Sequence, residues 1–238
     1  MHPARDAGHV RIASYNIRKA MGTDRLRRPE RILAVLAELS ADVVLLQEAD
    51  RRLGARQTAL PFELIAQGGW QPVPFDIRPG GLGWHGNAIL VRRDAEILSC
   101  RVWPLPVLEP RGAVMAEVRV RGVALRLVGM HLDLSGLWRR RQARAVIGHV
   151  EDCAERLPTV LTGDLNEWSL GGGCLRDFAR AFHFAATPPS FHARRPVARL
   201  DRIMTTPDLA VIDAGTHRSP LAARASDHLP VWAEVRLR

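Results

Sequence analysis

The sequence predicts an α/β fold in which mixed β-sheets carry helices on their outer faces. Three observations lead there. Short apolar runs of strand length recur along the chain, and two segments between them repeat apolar residues at helical spacing. Two of the runs, at 113–120 and 123–132, follow each other too closely for a helix to lie between them, so the sheets cannot be all parallel.

The first run is 10-VRIASYNI-17. Residues 29–39 (PERILAVLAEL) open on proline, which suits a first helical turn, and place Ile32, Leu33, Leu36 and Leu39 on one face. Strand-length runs follow at 42-DVVLLQE-48 and 87-NAILVRR-93. The stretch 54–86 between them is the longest candidate for a substrate loop, through Trp70, Arg78 and Trp84, although packing over the sheet explains the same tryptophans. After 113-AVMAEVRV-120 and 123-VALRLVGMHL-132, residues 137–157 align Val146, Ile147, Val150, Ala154 and Leu157 as a second helical face. Runs at 159-TVLTGD-164, 198-ARLDRIM-204 and 230-PVWAEVRL-237 complete the series, while 171-GGG-173 and 187-TPPS-190 signal loops. No repeat, low-complexity tract or internal boundary is visible, so a flexible N-terminus over 1–9 and a single domain over 10–238 are expected.

Composition narrows the function classes. The 238 residues are 47% hydrophobic, enough for a sizeable core. Lys plus Arg number 34 against 25 Asp plus Glu, a net charge of +9 carried almost wholly by arginine. That balance suits phosphate-bearing partners, although an arginine-rich genome gives the same surplus. Cys100, Cys153 and Cys174 are odd in number and widely spaced, without a C-x-x-C pair, which indicates neither a disulfide framework nor a thiolate zinc site; reduced, mostly buried thiols are expected. The opening MHPARDAGHV lacks the apolar core of a secretion signal, and no stretch reaches the roughly 20 apolar residues of a transmembrane helix. A cytoplasmic monomer is expected.

The informative pattern is where the apolar runs stop. The first ends at Asn16 and the second at Gln47–Glu48; the later ones meet His131 and Asp133, then Asp164 and Asn166, with Asp201 inside 200-LDRI-203 and Asp227–His228 just before the last run. Singly, each has an ordinary explanation: Asn16 as a turn residue, Glu48 as an exposed strand end, Asp164-Leu165-Asn166 as an Asx turn, a lone histidine as a satisfied core residue. Together they are a set of groups that cost several kcal/mol each if buried unpaired, so they must meet one another, a metal or a ligand.

The motifs 14-SYNI-17, 46-LQE-48, 85-HGNAIL-90, 130-MHLD-133, 163-GDLN-166, 200-LDRI-203 and 226-SDH-228 occur in the order and approximate spacing of the endonuclease/exonuclease/phosphatase superfamily, which the sequence resembles from about residue 10 to 235. Among its members it looks most like small bacterial hydrolases. The resemblance implies a four-layer α/β sandwich, two mixed β-sheets packed face to face with helices on the outside, and Mg²⁺- or Mn²⁺-dependent hydrolysis of a phosphate ester. By resemblance, Glu48 is the principal metal ligand, with Asn16 and Asp227 assisting. Asp164 orients or deprotonates the attacking water, Asn166 holds a phosphate oxygen, His228 paired with Asp201 stabilises the transition state, and His131 contacts the phosphate or protonates the leaving group. Asn87 matches a pocket-lining position. The residue types agree independently: an amide and two carboxylates are oxygen ligands, as a hard divalent ion requires.

Arg139, Arg140, Arg141 and Arg144 crowd the first turns of the second helix, where the macrodipole disfavours cations. An anion nearby would explain the cluster, with Arg141 as a substrate contact, whereas Arg139 and Arg140 fit a solvated face. The resulting expectation is a phosphodiesterase acting on a nucleic acid or a small or lipid-derived diester. The alternatives are a phosphomonoesterase and a catalytically silent nucleic-acid-binding module.

Overall fold

The computed structural model describes residues 8–51, 54, 57–106 and 108–238. The expected flexible stretch 1–9 falls largely outside them. His9 is described, and its ring pairs with Glu234 at 3.1 Å.

Among the described residues, twelve strands form two six-stranded sheets. The first orders its strands β11 (Leu209–Thr216), β12 (Val231–Leu237), β1 (Val10–Asn16), β2 (Val43–Gln47), β4 (Ala88–Arg92) and β3 (Trp70–Pro72). The second runs β5 (Glu96–Trp103), β6 (Gly112–Val120), β7 (Val123–His131), β8 (Thr159–Asp164), β10 (Asp201–Thr205) and β9 (His183–Phe184). Each sheet has one parallel pair at its centre, β1–β2 and β7–β8, flanked by antiparallel neighbours.

The sheets face each other. Val10, Ile12, Val43, Leu45 and Ile89 of the first pack with Val114, Ala116, Leu125, Leu127, Val160 and Ile203 of the second. Alternate side chains leave the opposite faces. Tyr15, Val44 and Leu46 pack under α1 (Pro29–Leu39), α2 (Phe62–Gln67) and α5 (Ala222–Ala225). Val128, Met130 and Leu161 pack under α3 (Gly136–Glu151) and α4 (Cys174–Phe178). The result is the four-layer sandwich. No helix among the described residues is long and apolar enough to cross a membrane.

The helix expected over 137–157 stops at Glu151, leaving Ala154 and Leu157 in the connection to β8. Pro158 biases its predecessor away from helical dihedrals, and the Glu155 carbonyl is held by the Arg126 guanidinium at 2.7 Å. The thiols also depart from expectation: Cys174 is buried, but Cys100 and Cys153 are only partly so.

Strand alternation explains where the polar residues go. Ile12 faces the space between the sheets, so Ser14 and Asn16 do too; by the same parity Leu127 leads to His131, Val160 to Asp164 and Ile203 back to Asp201. The polar strand ends are therefore the open end of the intersheet core.

Candidate active site

Strand direction gathers the site at one end of the sandwich. The parallel strands β1, β2, β7 and β8 finish there with Asn16, Gln47–Glu48, His131 and Asp164. Their antiparallel neighbours begin there: β4 after Asn87, β6 after Arg111, β10 at Asp201, β12 after Asp227–His228.

Asp164 is the meeting point. Its register partner in β7 is His131. Its Oδ2 accepts the Asn16 side-chain amide at 3.0 Å and lies 3.4 Å from His131 Nε2 and 3.7 Å from His228 Nε2. Its Oδ1 accepts the Asn166 backbone N–H at 3.0 Å, closing an Asx turn in which Asn166 is left-handed, with φ 50°. Turn and site thus coincide in one side chain. Asn166 is not extended, and its Nδ2 donates to the Leu132 carbonyl at 2.9 Å. Gly163 makes the placement possible: at φ 153° it lets β8 approach so closely that an added Cβ would lie 1.8 Å from the Met130 carbonyl oxygen.

His228 is buried beside Phe191, ring centroids 4.8 Å apart. Its Nδ1 lies 2.8 Å from Asp201 Oδ2, which also accepts the Ser190 hydroxyl. Burial works against the charged ring, but the carboxylates of Asp201, Asp164 and Asp227 outweigh it and push the imidazole pKa up to about 10. Donor atoms of Asp164, Asp201 and His228 all lie within 4.8 Å of one another, a grouping that could itself hold a cation. Within it His228 Nδ1 is taken by Asp201 Oδ2, whereas the buried Asp201 Oδ1 has no hydrogen-bond partner among the described residues.

The other carboxylates gather at the end of β1. After Asn16 the chain makes a 3-10 turn, Arg18–Ala20, whose cations face both acids: Arg18 Nε lies 3.2 Å from Asp227 Oδ2, and the Lys19 ammonium pairs with the Glu48 carboxylate. The Lys19 N–H donates to the Glu48 carbonyl at 3.0 Å, and the Ser226 hydroxyl to the Asn16 carbonyl at 2.8 Å. Glu48 and Asp227 are each compensated by one of these cations, and Asn16 Oδ1 accepts the Arg18 N–H at 3.1 Å, so all three offer oxygen donors. Such a set fits Mg²⁺ or Mn²⁺.

A cavity of about 320 Å³ opens beside Glu48, Lys19 and His131, walled by Trp84, Arg78 and Arg111. Sequence reasoning passed over Arg111, which is buried, with Nη1 2.8 Å from both His131 ring nitrogens and Nη2 3.3 Å from Glu109. It also missed Arg18, Lys19 and Ser190. The signals were faint: a lysine three positions past Asn16, and a basic residue at the mouth of the run beginning at 113.

Other expected residues have other settings. Asn87 is fully buried and ties the sheets together, donating to the Gly112 carbonyl at 3.0 Å. Trp70 belongs to the core, under the Arg92 guanidinium at 3.9 Å. Arg141 is exposed over the Trp138 ring at 4.8 Å and has not been drawn into the Asp164 cluster. The anions near the helix start are the protein's own: Arg139 is buried against Glu167 at 3.3 Å rather than solvated, and Arg140 and Arg144 share Asp177.

A model of the endonuclease/exonuclease/phosphatase family matches residues 13–228. A sequence search of curated proteins finds no match. Among solved structures, an endonuclease/exonuclease/phosphatase from Beutenbergia cavernae superposes with a TM-score of 0.74 at 23% identity, over 96% of this chain and 72% of that one. The mannosyl-6-phosphatase of Bacteroides thetaiotaomicron gives 0.71 at 20%, over 95% and 99%. D. rerio TDP2 complexed with a single-strand DNA product gives 0.71 at 17%, over 96% and 99%. At these identities the shared property is the fold.

Proposed function

This chain belongs to the endonuclease/exonuclease/phosphatase family, and from that premise we propose that it is a divalent-metal-dependent phosphodiesterase. Its substrate is a diester of a nucleic acid or of a small or lipid-derived molecule, and an activated water attacks in line. Residues 10–238 act as one unit, and the three free cysteines suit the reducing cytoplasm.

The observation that carries this reading is the convergence on Asp164, whose Oδ2 faces Asn16 at 3.0 Å, His131 at 3.4 Å and His228 at 3.7 Å. Because Oδ1 is held by the Asn166 N–H, Oδ2 is the oxygen that orients the water and takes its proton. Asn166 presents its amide to a phosphate oxygen beside that water. His228, anchored through Nδ1 by Asp201, offers a positively charged Nε2 to the charge that builds on phosphorus oxygens in the transition state. His131 and Arg111, whose Nη1 lies 2.8 Å from both ring nitrogens, bind the phosphate. A Mg²⁺ or Mn²⁺ ion held by Glu48 with Asn16 and Asp227 would supply Lewis-acid stabilisation of that charge.

A second reading, phosphomonoester hydrolysis, draws on the mannosyl-6-phosphatase of the same fold. Both readings predict metal-dependent release of p-nitrophenol, and bis-p-nitrophenyl phosphate against p-nitrophenyl phosphate separates them. Turnover of the diester, abolished by chelator and by Asp164→Ala or His228→Ala, is expected. Full activity in chelator or in those variants would overturn the mechanism. Binding of oligonucleotide without turnover of any ester would favour a silent nucleic-acid-binding module.

A further inference from the structure

The chain contains 33 arginines and a single lysine, Lys19. That one ammonium sits on Glu48. Where composition has otherwise chosen arginine, a compact point charge on a flexible stem stands at the carboxylate read as the main metal ligand.

We propose that Lys19 is an exchange cation. It neutralises Glu48 until a divalent ion binds there, then swings into the adjoining cavity and holds a phosphate oxygen of the substrate. The inference rests on the reading of Glu48 as a metal ligand.

The backbone is anchored in a way that leaves the side chain free to move. Arg18, Lys19 and Ala20 are all left-handed, with φ 46°, 57° and 58°, a conformation costing roughly 1–2 kcal/mol per residue. It is held by hydrogen bonds on both sides: the Lys19 N–H to the Glu48 carbonyl at 3.0 Å, the Arg27 Nε to the Lys19 carbonyl at 3.1 Å, and the Arg28 N–H to the Ala20 carbonyl at 2.9 Å. None of these involves the ammonium. Lys19, Glu48, Arg111 and His131 line the same cavity, so an ammonium leaving Glu48 enters the space where a phosphate at His131 would lie.

A divalent ion and an ammonium on one carboxylate repel each other, so metal binding and the Lys19–Glu48 pair oppose one another. An anion that captures the released ammonium must then strengthen metal binding, and the metal must strengthen anion binding by the same factor. A merely structural ion pair would show no such coupling.

The test is Mn²⁺ binding to the purified full chain, read by electron paramagnetic resonance of free Mn²⁺, with and without sulfate at constant ionic strength. Lys19→Met is expected to bind Mn²⁺ about threefold to tenfold more tightly than wild type without sulfate. Sulfate should tighten binding in the wild type and in Lys19→Arg, and leave Lys19→Met unchanged. As a second measurement, acylation of the lone lysine by an amine-directed reagent, followed by mass spectrometry against the N-terminal amine, should rise on Mg²⁺ addition and fall again with sulfate. Equal Mn²⁺ affinity in wild type and a Lys19→Met protein that melts normally, or acylation indifferent to Mg²⁺, would overturn the exchange. Glu48→Gln separates the two levels. If it binds Mn²⁺ like wild type, the metal assignment fails and the exchange with it; if it loses Mn²⁺ while Lys19→Met matches wild type, the exchange alone fails.

Discussion

Asp164 and His131 face each other across the parallel β7–β8 pair, and the Asp164 oxygen that lies 3.4 Å from His131 Nε2 also receives the Asn16 amide of the other sheet at 3.0 Å. One carboxylate oxygen thus joins two strand ends that are far apart in the chain. Replacing it with a group that cannot take a proton separates its chemistry from its packing. Asp164→Asn is expected to lower kcat on bis-p-nitrophenyl phosphate by about 10²–10⁴-fold, with a melting temperature near that of wild type. Wild-type turnover in this variant would remove Asp164 as the base.

Asp201 is fully buried and is the leading charge that raises the His228 pKa from its ordinary value. In Asp201→Asn, burial acts with less opposition, so the His228 pKa should fall, as read from its ring resonances in the metal-free protein. Replacing the charged Nδ1 anchor with a neutral amide should also lower kcat by about tenfold or more. An unchanged titration would show that Asp201 does not set the charge of the ring.

Gly163 has no room for a methyl group, since its Cβ would meet the Met130 carbonyl oxygen at 1.8 Å. Gly163→Ala must push β8 away from β7 just before Asp164. A loss of several kcal/mol is expected from backbone strain and broken pairing, measured by urea denaturation. A variant of normal stability would show that the two strands can separate cheaply.

Asp177 ties α4 to α3 through Arg140 at 3.1 Å and Arg144 at 3.3 Å. Burial favours its neutral form, but hydrogen bonds and charge from the two arginines prevail and lower its pKa below the ordinary carboxylate value. A depressed carboxylate stabilises the fold above its unfolded pKa, and that contribution is lost as pH falls through the folded value. Asp177→Asn should therefore be less stable than wild type by about 1 kcal/mol near neutral pH, the difference shrinking as the pH is taken below about 4. Denaturation curves at several pH values give both numbers. A gap that widens in acid would reverse the assignment.

All eight strand-length runs read from the sequence lie on strands of the structure, and the four strands not anticipated are β3, β5, β9 and β11, the edges of the two sheets. The reason is physical. An inner strand is buried on both faces and reads as an apolar run, whereas β5 alternates exposed and half-buried residues and β11 carries a bulge between Val211 and Asp213. The candidate site was legible for the same reason, because an acid or imidazole ending an apolar run is conspicuous. Lys19, Arg111 and Ser190 come from turns and strand entries, where polarity is ordinary and no periodicity marks a residue as different. Arg139 misled: arginines on a helix surface look alike in sequence, and only the fold reveals that Glu167 lies beneath this one.

The groups of the candidate site are divided between the sheets, Asn16, Glu48 and His228 lying on or beside strands of one and His131, Asp164 and Asp201 on strands of the other. The gap between the sheets is set by packing that touches none of them, such as Leu45 of β2 against Gly129 of β7, where an added Cβ would meet Leu45 Cδ2 at 3.1 Å. The hydrophobic interior therefore works as a gauge block for the chemistry. A methyl group gained or lost there alters the reach from Asn16 to Asp164 while leaving every residue of the candidate site unchanged in kind, so on the proposed mechanism drift in the volume of this layer becomes drift in turnover.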